Sequence, residues 1–391
     1  MPRNVAGPLV RGADLFGRDR EIASTWRLLE RGSVLLAAPR RYGKSSLMTA
    51  LQDDPQPGWT VVFVYVEYVE TPAELLTELT AGVLQHERLG TSIRSAIKTL
   101  PRSFSTWIRG MVEEVGVGLA TLGEARLKLR ESLRDPGDWR ELAEQLLAAA
   151  ANVDGDLLIV LDEFPTMVDS FFARDPALAV QFLRWFQAQR QRLGAVRFLL
   201  GGSVNIEPLL EQLGHSVLLN DLQRQAVQPF ATELAVRFVR EVLEHEQVAF
   251  EPDVPEVVVR TVGSGVPFFL QVLVSELLDE PRITADRVEA AYRERVLGPA
   301  NRARFAHYAT RLKAYGQDEE PARRVLAEVV SGPLSLAKLE DTTGEQRATL
   351  ERVLVRLEGD YYLERDHERW GFQSALMRDW WLRNASLPER S

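Results

Sequence analysis

The segment Ala38-Pro39-Arg40-Arg41-Tyr42-Gly43-Lys44-Ser45 concentrates more chemistry than any other stretch of the chain. It fits the phosphate-binding pattern G-x-x-x-x-G-K-[ST], with alanine in place of the first glycine. In such a loop the backbone N–H groups and the N-terminus of the following helix point at phosphate oxygens. Lys44 would reach the β- and γ-phosphates of a nucleotide, and Ser45 would ligate Mg²⁺. The apolar run Ser33–Ala37 before the motif and the helical pattern after it supply the strand–loop–helix context that separates a working loop from a chance Gly-Lys-Ser. Ala38 is the departure, because glycine is the more permissive residue in a tight turn.

A second constellation lies downstream. The run Leu157-Leu158-Ile159-Val160-Leu161 ends in Asp162 and Glu163, as in a Walker B element. Asp162 would hold Mg²⁺, directly or through water, and Glu163 would polarise an attacking water. Two acids at a strand end are often no more than a solvated terminus. Their pairing with a lysine loop, in this order along the chain, favours the chemical reading. The chain has no cysteine and only five histidines, which excludes disulfides, thiol nucleophiles and cysteine-ligated zinc.

These residues need a sheet to hold them. Ser33–Ala37, Val61–Val66, Leu157–Leu161, Arg197–Gly201 and Gln225–Gln228 read as strands alternating with helical stretches, the order of an α/β fold with a parallel sheet. Residues 1–230 form the expected nucleotide-binding core, with a β-hairpin inserted near 114–130. Four short helices are expected over 231–300, with Thr232 and Thr284 as N-caps. Residues 301–320 read as a linker. Residues 321–391 give three helices and two strands, Tyr361–Arg365 and Arg369–Phe372, which is winged-helix order. The closing helix through Trp380 and Trp381 reads as a structural cover, unless those rings are exposed and mark a partner surface.

The combination resembles the AAA+ superfamily of P-loop ATPases, within it the archaeal-type and STAND-like branch, with replication-initiator ATPases as close relatives. Leu15-Phe16-Gly17-Arg18-Asp19-Arg20-Glu21 resembles that family's N-terminal motif, which implies that Gly17 and Arg18 lie beside adenine. Pro39-Arg40-Arg41-Tyr42-Gly43-Lys44-Ser45-Ser46 resembles its arginine-containing phosphate loop, and Gly265-Val266-Pro267 its STAND-type lid motif, which implies that residues 231–300 are a helical lid with Pro267 near the nucleotide. The resemblance implies a polar sensor after the fourth strand, Ser203, with Asn205 in reserve. It also implies an arginine finger near the fifth strand, where Arg224 stands; a surface arginine paired with Asp221 is the alternative. Glu67 is either a polar switch or a solvated strand end. No lid arginine stands at a clear sensor-2 position, which favours the STAND pattern.

Net charge is −9, from 47 basic and 56 acidic residues. That excludes a uniformly basic nucleic-acid coat. Residues 317–391 hold 11 basic and 15 acidic side chains, so protein contact is favoured over DNA for the winged helix. No apolar run has the length of a signal peptide or membrane span, so a cytoplasmic protein is expected. The reading is an ATPase, slow or partner-stimulated, that binds ATP or ADP with Mg²⁺ and acts as a nucleotide-dependent switch through a protein partner or self-association. A DNA-acting ATPase and a non-hydrolysing nucleotide-bound scaffold are the alternatives.

Overall fold

Five strands form one parallel sheet: β1 (Val34–Ala37), β2 (Trp59–Tyr65), β3 (Asp156–Asp162), β4 (Val196–Gly202) and the polar edge strand β5 (Gln223–Ala226). Their order is β2-β3-β4-β1-β5, and each neighbouring pair runs parallel. Leu157 to Asp162 of β3 are buried throughout, as a central strand covered on both faces must be. The computed structural model describes residues 1–96, 104–109, 139–202, 206, 210 and 215–384. The expected hairpin near 114–130 lies outside the described residues, as do Ser203 and Asn205.

Two compact units emerge. A sheet unit comprises Asp19–Ala38 and Lys44–Val227, and a helical unit comprises Met1–Arg18, Pro39–Gly43 and Gln228–Ser391. The segment expected as the core, 1–230, is thus shared: Met1–Arg18, Pro39–Gly43 and the residues from Gln228 onward belong with the helical unit.

In the sheet unit, helices α1 (Asp19–Leu29), α2 (Lys44–Asp53), α3 (Pro72–Gln85), α4 (Glu87–Ala96), α5 (Trp139–Ala151), α6 (Phe164–Arg174) and α7 (Pro176–Arg192) accompany the strands. Caps fix the starts of two of them. Thr71 accepts from the Glu74 N–H before α3, and Asp175 accepts from the N–H groups of Ala177 and Leu178 before α7. A ladder of rings, Phe171, Phe182, Phe186 and Phe198, joins α6, α7 and β4.

In the helical unit, α8 (Thr232–His245), α9 (Val254–Val262), α10 (Pro267–Ser275) and α11 (Ala285–Ala291) occupy the segments read as helices. Thr284 caps α11 through the Arg287 N–H, as expected. Thr232 does not cap α8: Ala231 takes the N-cap position and Thr232 is already helical. The stretch expected as a linker is also helical, as α12 (Arg302–Arg311) and a 3₁₀ segment to Asp318, because Phe305, Tyr308, Leu312 and Tyr315 recur at helical spacing and are buried.

Beyond it come α13 (Glu319–Val329), β6 (Leu334–Ser335), α14 (Leu336–Thr343), α15 (Arg347–Gly359), the hairpin β7 (Leu363–Asp366) and β8 (Arg369–Phe372), and α16 (Ala375–Asn384). The sheet here has three strands rather than the two expected, since Leu334 and Ser335 pair with Trp370 and Arg369. Trp380 and Trp381 are both buried, so the last helix covers its own unit.

Among the described residues no single helix is long and apolar enough to cross a membrane. One bent pair, α9 with α10, passes on length and composition alone, and most of its side chains are buried.

Candidate functional site

In the sheet unit, β3 delivers two carboxylates to the ammonium that opens α2. Lys44 Nζ lies 3.1 Å from Asp162 Oδ1 and donates to Glu163 Oε1 at 3.2 Å. All three side chains are withdrawn from water, Lys44 and Asp162 almost completely. A buried ammonium costs several kcal/mol unless it is paired. Two acids on one lysine leave a net negative site facing the first turn of a helix.

The neighbouring strand makes room for this group. Register sets Asp162 beside Gly201 of β4, and a Cβ at Gly201 would stand 2.4 Å from Met48 Sδ and 3.3 Å from Asp162 Oδ1. A side chain at 201 would displace the Met48 thioether and crowd Asp162, and the glycine leaves that space to α2.

Glu163 itself is left-handed, with φ 65° and ψ 31°, at the turn from β3 into α6. A non-glycine residue in this region costs about 1–3 kcal/mol and persists where surrounding contacts impose it. Its N–H donates to Asp162 Oδ1 at 3.0 Å, and its Oε2 accepts from Thr166.

In the helical unit, the loop residues Pro39–Gly43 are gripped by side chains remote in sequence. Arg18 is buried; its Nη2 donates to the Tyr42 carbonyl at 3.0 Å and its Nη1 to the Gln228 carbonyl at 2.8 Å, with the guanidinium 4.6 Å from the Phe230 ring centre. Arg41 Nη1 donates to the Gly7 carbonyl at 2.7 Å, and its guanidinium lies over Phe268 at 4.8 Å. The Tyr42 hydroxyl donates to Gln373 at 3.1 Å, and its ring meets Tyr361 at 5.4 Å. Burial pushes that hydroxyl well above the usual tyrosine range, so it stays protonated.

The positive φ angles of this loop fall at Arg41 (76°) and Gly43 (88°), and Ala38 has none. Alanine in place of the first glycine therefore meets no backbone strain. The strained position is Arg41, held by Gly7 and Phe268.

The other expected residues are placed as follows. Ser45 is half-buried and Ser46 buried in the first turn of α2. Pro39 is buried, and Arg40 is exposed. Gly17 has φ 65°, and Pro267 is the first residue of α10. Arg224 is exposed and lies within β5, paired with Leu35, rather than before the strand. Its alternative partner is committed elsewhere: Asp221 receives two hydrogen bonds from the buried Arg190, at 2.7 and 2.9 Å. Glu67 is exposed and accepts from the Tyr65 hydroxyl. What sequence reasoning missed is the service that Arg18 gives the loop. Its one trace was the distance in sequence between a motif arginine and the loop it holds.

Sequence comparison finds no matching family model and no matching curated protein. Solved structures do match. A Walker-type ATPase of Pyrococcus abyssi superposes with a TM-score of 0.69 at 17% identity, covering 96% of this chain and 99% of that one. The ORC2 protein of Aeropyrum pernix, in its ADPNP–ADP complexes, gives 0.55 at 13% identity, covering 95% and 93%. Both likenesses run over nearly the whole length, and the sheet order agrees with the strand–loop–helix placement of the lysine.

The chain has the AAA+ P-loop fold.

Within the AAA+ fold, the lysine–carboxylate group fits a nucleotide with its metal on the chemistry of its donors. Asp162 and Ser45 offer hard oxygen ligands of the kind Mg²⁺ takes. Lys44 offers an ammonium for phosphate oxygens, and the first turn of α2 offers backbone N–H groups.

The arginines of α15 are engaged within the helical unit. Arg352 donates to the buried Asp318 at 2.6 and 2.9 Å, Arg347 pairs with Glu351 and Glu340, and Arg356 donates to the carbonyls of Ala314 and Tyr315.

Proposed function

We propose that the protein binds ATP or ADP with Mg²⁺ and hydrolyses ATP slowly, as a nucleotide-dependent switch that controls assembly or the binding of a protein partner. The observation that carries the reading is the position of Lys44 Nζ, 3.1 and 3.2 Å from the two carboxylates that end β3. A bound triphosphate competes with Asp162 and Glu163 for that ammonium. Once Lys44 turns to phosphate, Glu163 is released to take the proton of an attacking water, and Asp162 with Ser45 would hold Mg²⁺. The metal would supply charge neutralisation between the phosphates.

The switch reading rests on differential contact, since only the triphosphate offers a γ-phosphate to Lys44 and to a sensor such as Ser203 or an arginine such as Arg224. On this reading residues 231–300 are the lid, 321–391 a winged helix of the STAND-like pattern, and the protein cytoplasmic. Engagement of Arg347, Arg352 and Arg356 with acids and carbonyls of their own unit favours a protein partner over DNA.

The deciding experiment is phosphate release from ATP across a range of protein concentrations, with Glu163→Gln as the blank. Turnover per protomer that rises with concentration supports a shared site completed by Arg224. Release equal to the blank at every concentration, with ATP still bound, rules out intrinsic hydrolysis.

A further inference from the structure

Beside the phosphate loop, within the helical unit, five buried polar atoms have no hydrogen-bond partner among the described residues: Arg41 Nε, His307 Nε2, Tyr308 Oη, and Arg311 Nε and Nη1. They share one electrostatic neighbourhood. Arg41 acts on Tyr308 and His307, and Arg311 acts on both as well. Arg40 and Arg304 add charge from exposed positions. Tyr308 is only 3% exposed, and the Arg311 side chain 11%.

The carboxylate of the group, Asp360, is already committed. It accepts from Arg311 Nη2 at 2.8 Å and from the Tyr315 hydroxyl at 2.7 Å. Four guanidiniums thus act on this neighbourhood, and among the described residues Asp360 is the carboxylate that acts on Arg311. Bare buried donors and unneutralised like charges are both costly, and an anion relieves both at once. Forked guanidinium donors with a hydroxyl and an imidazole match the tetrahedral oxygens of a phosphoryl group.

We propose that Arg41, His307, Tyr308 and Arg311, with Arg40 and Arg304 at the rim, form a binding site for a phosphoryl group. His307 is its reporter. The ring donates to the Arg304 carbonyl, and Nε2 is the nitrogen without a partner. Burial first, then Arg40, Arg41 and Arg311, hold the imidazole down to about 4, so it is neutral near pH 7. A bound phosphate favours the protonated ring, and its affinity strengthens as pH falls.

The site shares the loop of Lys44 but does not depend on hydrolysis, and the test separates the two readings. The chain has five histidines, so their imidazole NMR signals can be followed in the nucleotide-free full-length protein, with His307→Gln giving the assignment. Orthophosphate, against chloride at equal ionic strength, is expected to raise the His307 midpoint by about one pH unit or more. Arg304→Glu, at an exposed position, is expected to weaken phosphate binding about tenfold.

A rise that survives Lys44→Ala identifies a phosphate held apart from the nucleotide. A rise produced by ATP and abolished by Lys44→Ala identifies the nucleotide's own phosphate. A His307 midpoint unmoved by orthophosphate, pyrophosphate and ATP overturns the site, even where ATP protects the fold. A phosphate response without any ATP protection leaves the site standing and overturns the nucleotide reading alone.

Discussion

Arg18 donates from a buried guanidinium to the carbonyl of Tyr42, the residue just before the glycine–lysine pair of the phosphate loop. A residue of the N-terminal motif thereby fixes the backbone of a loop 24 positions away. Its second hydrogen bond, to Gln228, ties the same side chain to the chain leaving β5.

Replacing this fork is expected to be costly. Arg18→Lys cannot reach both carbonyls with planar, fixed donors, and leaves at least one buried acceptor unpaired. The expected loss is about 1–3 kcal/mol, read by denaturant unfolding, together with weaker ATP binding. A variant with wild-type stability and affinity would show that the loop keeps its shape unaided.

Lys44→Ala should abolish ATP-dependent protection. At ATP one hundredfold above its dissociation constant the wild type gains about 2.7 kcal/mol, and the variant should gain none. Thermal unfolding with and without ATP and Mg²⁺ is the measurement. Equal protection in both proteins would remove Lys44 from the site.

Glu163 separates turnover from stability. Glu163→Gln should bind ATP while phosphate release falls about 10²-fold or more. Glu163→Gly should abolish release as well, yet keep or raise stability by about 1 kcal/mol, because glycine adopts φ 65° without steric cost. Loss of stability in Glu163→Gly would mean that the carboxylate's pairing with the buried Lys44 and its hydrogen bond from Thr166 outweigh the backbone strain.

Acid should destabilise the fold in a defined window. The His307 imidazole titrates near 6.5 when unfolded and at about 4 when folded, held down by burial and by Arg40, Arg41 and Arg311. Between those values the unfolded chain binds more protons, so stability falls as pH drops from 6.5 towards 4. His86, also lowered by burial, contributes with the same sign. His307→Gln should flatten the slope of the unfolding midpoint against pH in this range. An unchanged slope would assign the acid response to other groups.

The four apolar strands and the chemical ends of two of them were legible in the sequence. Fully apolar runs such as Leu157–Leu161 can be buried on both faces, and their period and order along the chain fix a parallel α/β arrangement. Gly-Lys-Ser after one strand and Asp-Glu after another are local facts, so Lys44, Asp162 and Glu163 were legible without coordinates. The helical nature of 302–318 was legible too, in the spacing of Phe305, Tyr308, Leu312 and Tyr315, although the charged residues between them disguised it.

Contacts between distant positions were decided by tertiary structure alone. Arg224 falls inside β5 because register with β1, rather than its own weak pattern, sets where that edge strand begins. Asp221 went to Arg190 because α7 places a buried guanidinium there that must be paired. The left-handed turn at Glu163, the grip of Arg18 on Tyr42 and the gathering of Arg41, His307 and Arg311 are long-range results. Each depends on packing that brings charges from separate segments out of water together, and no local period encodes which partner a buried charge will find.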